Sequence, residues 1–211
     1  MKAVIICSGN APSMSLLEKE IDEDTIIICA DGGANHLYNS SIIPHYLLGD
    51  FDSIAPEVLE YFRHQKVKLE SYPVEKDDTD SELALNKAIE LGAKEVVFLG
   101  CIGSRIDHVY GNIGLLKRCI NAGVKGSIKD EHNYIFLMDK SATLYGSSGD
   151  TFSLQSFSGE VKNLNIRGAK YPLYNYDLEV GDPITISNMF LNEKVEITFD
   201  RGTLLVFYTM D

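Results

Sequence analysis

Two aspartates separated by one aromatic residue, Asp50-Phe51-Asp52, follow the short apolar run Tyr46-Leu47-Leu48 and a glycine. Residues two apart on an extended segment face the same side, so the spacing predicts both carboxylates together and Phe51 opposite. Two hard oxygen ligands at a strand end suit Mg²⁺, which commonly takes one or two carboxylates plus phosphate oxygens. Taken alone, Gly-Asp is equally ordinary turn chemistry. The pattern recurs, however. Asp31-Gly32-Gly33 follows the apolar run 25–30, Asp77-Asp78-Thr79-Asp80 follows 67–72, and Gly103-Ser104-Arg105-Ile106-Asp107-His108 follows 95–100. Clustered carboxylates repel one another, so a cation is the expected resident. Arg105 offers a planar fork that matches phosphate. Carboxylates, a divalent cation and an arginine are the equipment of phosphoryl-type transfer, where catalysis is mainly positioning and charge neutralisation. No Gly-x-x-x-x-Gly-Lys-Ser/Thr motif is present, which excludes the P-loop class. Each residue also has a structural reading: Asp31 as a turn cap, Asp78 or Thr79 as a helix N-cap, Asp107-His108 as a helix start. Recurrence at successive strand ends argues against such readings for Asp50, Asp52, Asp77 and Asp80 together.

Positioning these groups requires a sheet whose strand ends share one edge. Residues 3–7 and 25–30 are β-branched runs of the kind buried on both faces of a parallel sheet. Further strands are expected at 46–49, 67–72, 95–100 and 127–129. Helices are expected at 15–20, 34–40, from Pro56, from Asp78 or Thr79 to Leu91, and over 109–120, with 101–108 as a loop. Regular alternation of strand and helix predicts an α/β, doubly wound, mostly parallel Rossmann-like sheet, whose carboxyl edge collects the strand-end residues. Beyond about His132 the helical patterning stops. Short runs at 135–138, 142–145, 151–155, 161–164, 184–187, 195–199 and 203–208, punctuated by Gly, Asn, Asp and Ser, predict an all-β sandwich or partial barrel. The division expected is 1–132 and 133–211.

The chain has 211 residues, 45% hydrophobic and 24% charged, enough for one large domain or two small ones. A formal net charge of −12 argues against a nucleic-acid or anionic-membrane surface, while Mg²⁺ can still bridge acids to a nucleotide. Cys7, Cys29, Cys101 and Cys119 match no zinc spacing and read as buried free thiols of a reduced compartment. The apolar run 3–7 is too short for a signal peptide or membrane span, so the expected location is cytoplasmic.

The ordered set Asp31-Gly32-Gly33-Ala34-Asn35, Gly49-Asp50-Phe51-Asp52-Ser53, Lys76-Asp77-Asp78-Thr79-Asp80, Gly103-Ser104-Arg105-Ile106-Asp107-His108 and Ser187-Asn188 resembles the thiamine pyrophosphokinase family over nearly the whole chain. The resemblance implies an α/β catalytic domain, a β-sandwich domain and a homodimer with thiamine near the subunit interface. It also implies a reaction, in which ATP and thiamine give AMP and thiamine diphosphate. By motif, Asp50, Asp52 and Asp80 would hold Mg²⁺ or orient the reacting groups, with Arg105 beside them. Asp31, Asp77, Thr79, Gly103, Ser104, Arg105, Asp107 and His108 would serve ATP, and Ser187, Asn188 and Asp80 would serve thiamine. Two departures stand out. Many relatives read Ser-Asn-Glu-Phe where this chain has Ser187-Asn188-Met189-Phe190, and the tryptophan some relatives set against thiamine is absent, leaving Tyr171, Tyr174, Tyr176 and Phe190 as aromatic candidates.

Other readings share part of the pattern. Asp-x-Asp at a strand end occurs in nucleotide-sugar transferases, which are generally longer chains and leave the 76–80 motif without a task. Aspartyl-phosphate phosphatases carry it after the first strand rather than the third. Pyrophosphorylation of another hydroxymethyl heterocycle, of pterin type, and a non-enzymatic nucleotide-sensing module are the remaining alternatives.

Overall fold

The computed structural model describes residues 1–210 and divides into two compact units, Met1–Glu131 and His132–Asp211. The first unit alternates strand and helix: β1 (Lys2–Ile6), α1 (Met14–Glu20), β2 (Ile26–Ala30), β3 (Tyr46–Gly49), α2 (Pro56–Arg63), β4 (Lys68–Ser71), α3 (Asp80–Glu90), β5 (Glu95–Leu99), α4 (Ile106–Asn121) and β6 (Lys125–Lys129). The strands pair in parallel in the order β6-β5-β1-β2-β3-β4. The chain therefore moves outward from β1 through β4, then returns to the other side of β1 for β5 and β6. Strand order reverses between β1 and β5, and such a switch point opens a crevice at the carboxyl ends. The runs 4–6 and 96–99 are solvent-free because the central strands are covered on both faces, as their unbroken apolar sequence requires. Val4, Ile6, Cys29, Leu47, Val97 and Leu99 from the strands pack with Leu37, Val58 and Phe62.

Helix starts carry their own signals. Pro56 opens α2 where its missing N–H costs nothing. Thr79 caps α3 in a reciprocal box with Glu82, each side chain taking the other's backbone N–H. Two expectations change here. The 34–40 helix is a 3₁₀ turn, Asp31–Leu37, that begins directly at the strand end. Helix α4 starts at Ile106, which puts Asp107 and His108 on its first turn instead of in a loop. All four cysteines are free and buried.

One buried carboxylate ties the amino-terminal strand, the first helix and β6 together. Glu20, 4% exposed, accepts from Lys2 Nζ at 2.8 Å and Lys129 Nζ at 2.7 Å. Burial pushes its carboxyl up, but the two lysines more than offset this and hold it below the usual range. A depressed folded pKa contributes stability above the unfolded value of about 4.3 and loses it as pH falls through the folded value. Glu20→Gln is expected to cost about 1–3 kcal/mol at neutral pH and progressively less as pH falls below about 4.3, read from urea melts across that range.

The second unit contains β7 (Asn133–Met138), β8 (Ala142–Tyr145), β9 (Thr151–Ser156), β10 (Val161–Arg167), β11 (Leu173–Leu178), β12 (Asn188–Met189), β13 (Lys194–Thr198) and β14 (Leu204–Thr209). Two antiparallel layers, β12-β9-β14-β7 and β11-β10-β13-β8, enclose Leu144, Phe152, Leu154, Leu164, Phe190, Ile197 and Val206. Strand β11 escapes sequence patterning because Asn175 sits at φ 49° and the β10–β11 register shifts, which breaks the two-residue alternation. The expected strand 184–187 is instead a 3₁₀ turn, Pro183–Thr185. Asp182 caps it through the Ile184 N–H, while Ile184 and Ile186 stay exposed. Among the described residues no helix is long and apolar enough to cross a membrane.

Candidate active site

At the β1/β5 switch point the first unit opens a cleft of about 690 Å³. The segments after β1 and β5 form one wall: Gly9 N–H donates to Gly100 O at 2.7 Å and Asn10 N–H to Ile102 O at 2.7 Å. Asp31, Asp50 and the 76–80 segment face them, with Gly103, Ser104, Arg105, Asp107 and His108 at the rim.

The acids are brought together by close backbone approach. Gly33 lies against the end of β1, where a Cβ would meet Ile6 O at 2.1 Å. Gly49, at φ 148°, lets β3 pass the Asp31 side chain, which a Cβ there would meet at 2.9 Å. Asp31 itself is left-handed at φ 44°. Beyond Gly49 the chain departs from the extended path expected from sequence, because Phe51 is also left-handed, at φ 66°. Asp52 N–H turns back to Asp50 Oδ1 at 3.2 Å, so the two carboxylates meet through a tight turn and not through strand alternation. Phe51 packs against the first unit's core, which holds this strained conformation.

Among the described residues, Asp31, Asp50 and Asp52 form a group in which one carboxylate oxygen from each lies within 4.8 Å of the others. Asp31 is 4% exposed and its Oδ1 has no hydrogen-bond partner. Burial pushes its carboxyl up, the Gly32 N–H and Ser53 pull it back, and the charges of Asp80 and Asp50 push it up again. Asp50 goes the other way. The Asp52 N–H holds it below the ordinary value against the opposing effect of burial, and Lys76 adds to the lowering. A buried, unpartnered oxygen facing two further carboxylates has the chemistry of a hard-cation site.

Asp80, grouped with Asp50 and Asp52 in the sequence-based metal set, begins α3 and lies beside them with its Oδ1 3.0 Å from Lys76 Nζ. That contact is an ion pair outside hydrogen-bond geometry. Asp31, assigned to the nucleotide from sequence, takes its place in the tight group. Thr79 commits its hydroxyl to the cap of α3. Arg105 is bound to Asp107 by two hydrogen bonds of 3.3 and 2.6 Å, both side chains well exposed at the rim. In the second unit, Asn188 is buried and spends its amide on Tyr171: Oδ1 accepts from Tyr171 N–H at 3.0 Å, and Nδ2 donates to Tyr171 O at 2.8 Å. Ser187 beside it is left-handed, at φ 57°. Sequence reasoning assigned no role to Lys76, Asn112 or the Cys7-Ser8-Gly9 segment, all of which line the cleft. The signal for the last was its place as the turn after the first strand of a parallel sheet.

The catalytic-domain model of thiamin pyrophosphokinase matches residues 17–128, and its vitamin B1 binding domain matches residues 135–204. A thiamine pyrophosphokinase of Bacillus subtilis (strain 168) is 31% identical over 216 residues, covering 100% of both chains. The chain belongs to the thiamine pyrophosphokinase family. Thiamine pyrophosphokinase 1 of Oryza sativa subsp. japonica is 27% identical over 232 residues, 96% of this chain and 85% of the relative. The crystal structure of thiamine pyrophosphokinase from Bacillus subtilis superposes with a TM-score of 0.90 at 28% identity over the whole of both chains. The α/β plus β-sandwich architecture is therefore that of the thiamine pyrophosphokinases.

Proposed function

We propose that this chain transfers the pyrophosphoryl group of ATP to the hydroxyl of thiamine, giving AMP and thiamine diphosphate. The observation that carries the reading is the carboxylate group Asp31, Asp50 and Asp52 at the switch point of a thiamine pyrophosphokinase fold. Match of the carboxyl-terminal part to a vitamin B1 binding domain favours thiamine over a pterin-type acceptor.

The primary alcohol of the acceptor is a weak nucleophile, so the site must align its oxygen with the β-phosphorus while AMP leaves on the far side. Asp31, Asp50 and Asp52 would hold Mg²⁺, with Asp80 at the edge of the set. Mg²⁺ bound there would draw charge from the phosphates and offset the charge developing on the leaving group. The remaining work falls to side chains. Asp80 orients the acceptor hydroxyl and takes its proton late, which a loose transition state allows a weak base to do. The backbone of Gly103 and Ser104, with Asp77, Thr79 and His108, lines the nucleotide side. Arg105, held by Asp107, presents its remaining N–H groups to phosphate oxygens.

Ser187 and Asn188 stand on the thiamine side. Because the Asn188 amide is committed to Tyr171, its part there is to fix the Tyr171 backbone. The assembly in this reading is a homodimer in the cytoplasm, formed through the second unit. That unit leaves Tyr171, Tyr174, Ile184 and Ile186 exposed, large side chains of the kind that symmetric pairing covers. The test is acceptor dependence: ATP consumption should require thiamine and should not occur with a hydroxymethyl pterin. Equal turnover with both, or turnover with neither, overturns the reading.

A further inference from the structure

Lys76 is the cation that sits among the acids. Its Nζ lies 3.0 Å from Asp80 Oδ1, 3.4 Å from Asp50 Oδ2 and 3.2 Å from the carbonyl of Pro73 in its own turn. Its side chain is only 14% exposed, unusual for a lysine on the wall of an open cleft. Other cationic groups nearby are engaged elsewhere. Arg105 holds Asp107, and Arg118 holds Glu82 at 2.8 Å and reaches Asp78 at 3.9 Å. Among the described residues, no other lysine or arginine makes an ion pair with Asp50 or Asp80. An ammonium and a divalent cation that both draw on the Asp50 carboxylate repel each other at this short range. A lysine on four flexible methylenes can give way, and a compact ammonium is itself a phosphate partner.

We propose that Lys76 is a built-in counter-cation: it bridges Asp50 and Asp80 when the site holds no metal, and yields Asp50 when a divalent cation enters. It is a positioning residue that acts through the two carboxylates. Its effect is to weaken capture of a bare metal ion, so that the site favours an ion arriving with phosphates that can receive the displaced ammonium. The inference rests on the metal reading of Asp31, Asp50 and Asp52.

The test compares Mg²⁺ binding without nucleotide, by calorimetry, in the wild type, Lys76→Met, Lys76→Arg and Lys87→Met. Lys87 is a similarly covered lysine paired with Glu70 and Glu90, and serves as the control. Lys76→Met is expected to bind Mg²⁺ about tenfold tighter and to melt lower than the wild type in chelator. Lys76→Arg and Lys87→Met are expected to stay within about twofold of the wild type in Mg²⁺ affinity. A Lys76→Met protein that binds Mg²⁺ equally or more weakly overturns the inference, because a lysine that merely braces Asp50 would weaken the site when removed.

A wild-type measurement stands beside these variants should one of them not fold. Acylation of Lys76 by an amine-reactive ester, read by peptide mass, should accelerate several-fold when Mg²⁺ alone is added. An unchanged rate in protein that binds the ion overturns the inference and leaves the metal site standing. A wild type that binds no Mg²⁺ brings down the metal reading and this inference with it.

Discussion

Asp50→Asn is expected to lower kcat by about 10²–10⁴-fold while lowering the melting temperature in chelator only slightly. Asparagine keeps the oxygen that accepts from Asp52 N–H, so the tight turn survives. What it removes is one negative charge and with it a cation ligand, and relief of repulsion from Asp31 and Asp52 offsets part of the lost pairing with Lys76. The loss of turnover far exceeds the loss of stability, and that separates a functional role from a structural one. A carboxylate present only to close the turn would give a variant with normal turnover and lowered stability. Thermal melts with and without Mg²⁺ complete the comparison. The wild type should gain stability from the ion and the variant should gain little.

Gly33→Ala should be strongly destabilising, at about 3 kcal/mol or more. The added carbon would stand 2.1 Å from Ile6 O and 2.7 Å from Ile6 C. Both are backbone atoms of β1, which is hydrogen-bonded to β2 on one side and β5 on the other and cannot shift alone. Because Asp31 lies two residues away, whatever folded protein remains should also lose activity. Gly114→Ala is the contrast. Within α4 nothing lies within 4 Å of the added carbon, and the change should stabilise by about 0.5–1 kcal/mol. Denaturant melts of the two variants read both numbers. Equal effects would mean that the approach of the Asp31 turn to β1 does not constrain the fold.

The acids were legible in sequence for a topological reason. A parallel sheet turns every strand in the same direction, so strand-end residues that are remote in sequence must share one edge, and Asp31, Asp50 and the 76–80 segment do. Which carboxylates meet most closely was not legible, because it depends on backbone that breaks strand geometry. Phe51 and Asp31 adopt left-handed conformations that neither side chain advertises. Side-chain pairing was equally hidden. Residue types place an arginine and a lysine at the cleft but do not reveal that Arg105 is held by Asp107 while Lys76 reaches the metal-type acids. In the second unit, alternation located most strands but failed where it is broken, at β11, and where Pro183 and the Asp182 cap turn an apolar run into a 3₁₀ turn. The Ser187-Asn188 motif was visible, whereas the use of the Asn188 amide on Tyr171 was not.

The nucleotide left behind tests the central claim most directly. Purified protein incubated with ATP, Mg²⁺ and thiamine, followed by ³¹P NMR and chromatography of the nucleotides, should yield AMP and thiamine diphosphate in equal amounts, with no ADP. Omitting thiamine should stop AMP formation. ADP with thiamine monophosphate would show attack at the γ-phosphorus and an ordinary kinase, and AMP with free pyrophosphate would show hydrolysis. Either result would contradict pyrophosphoryl transfer to thiamine at this site.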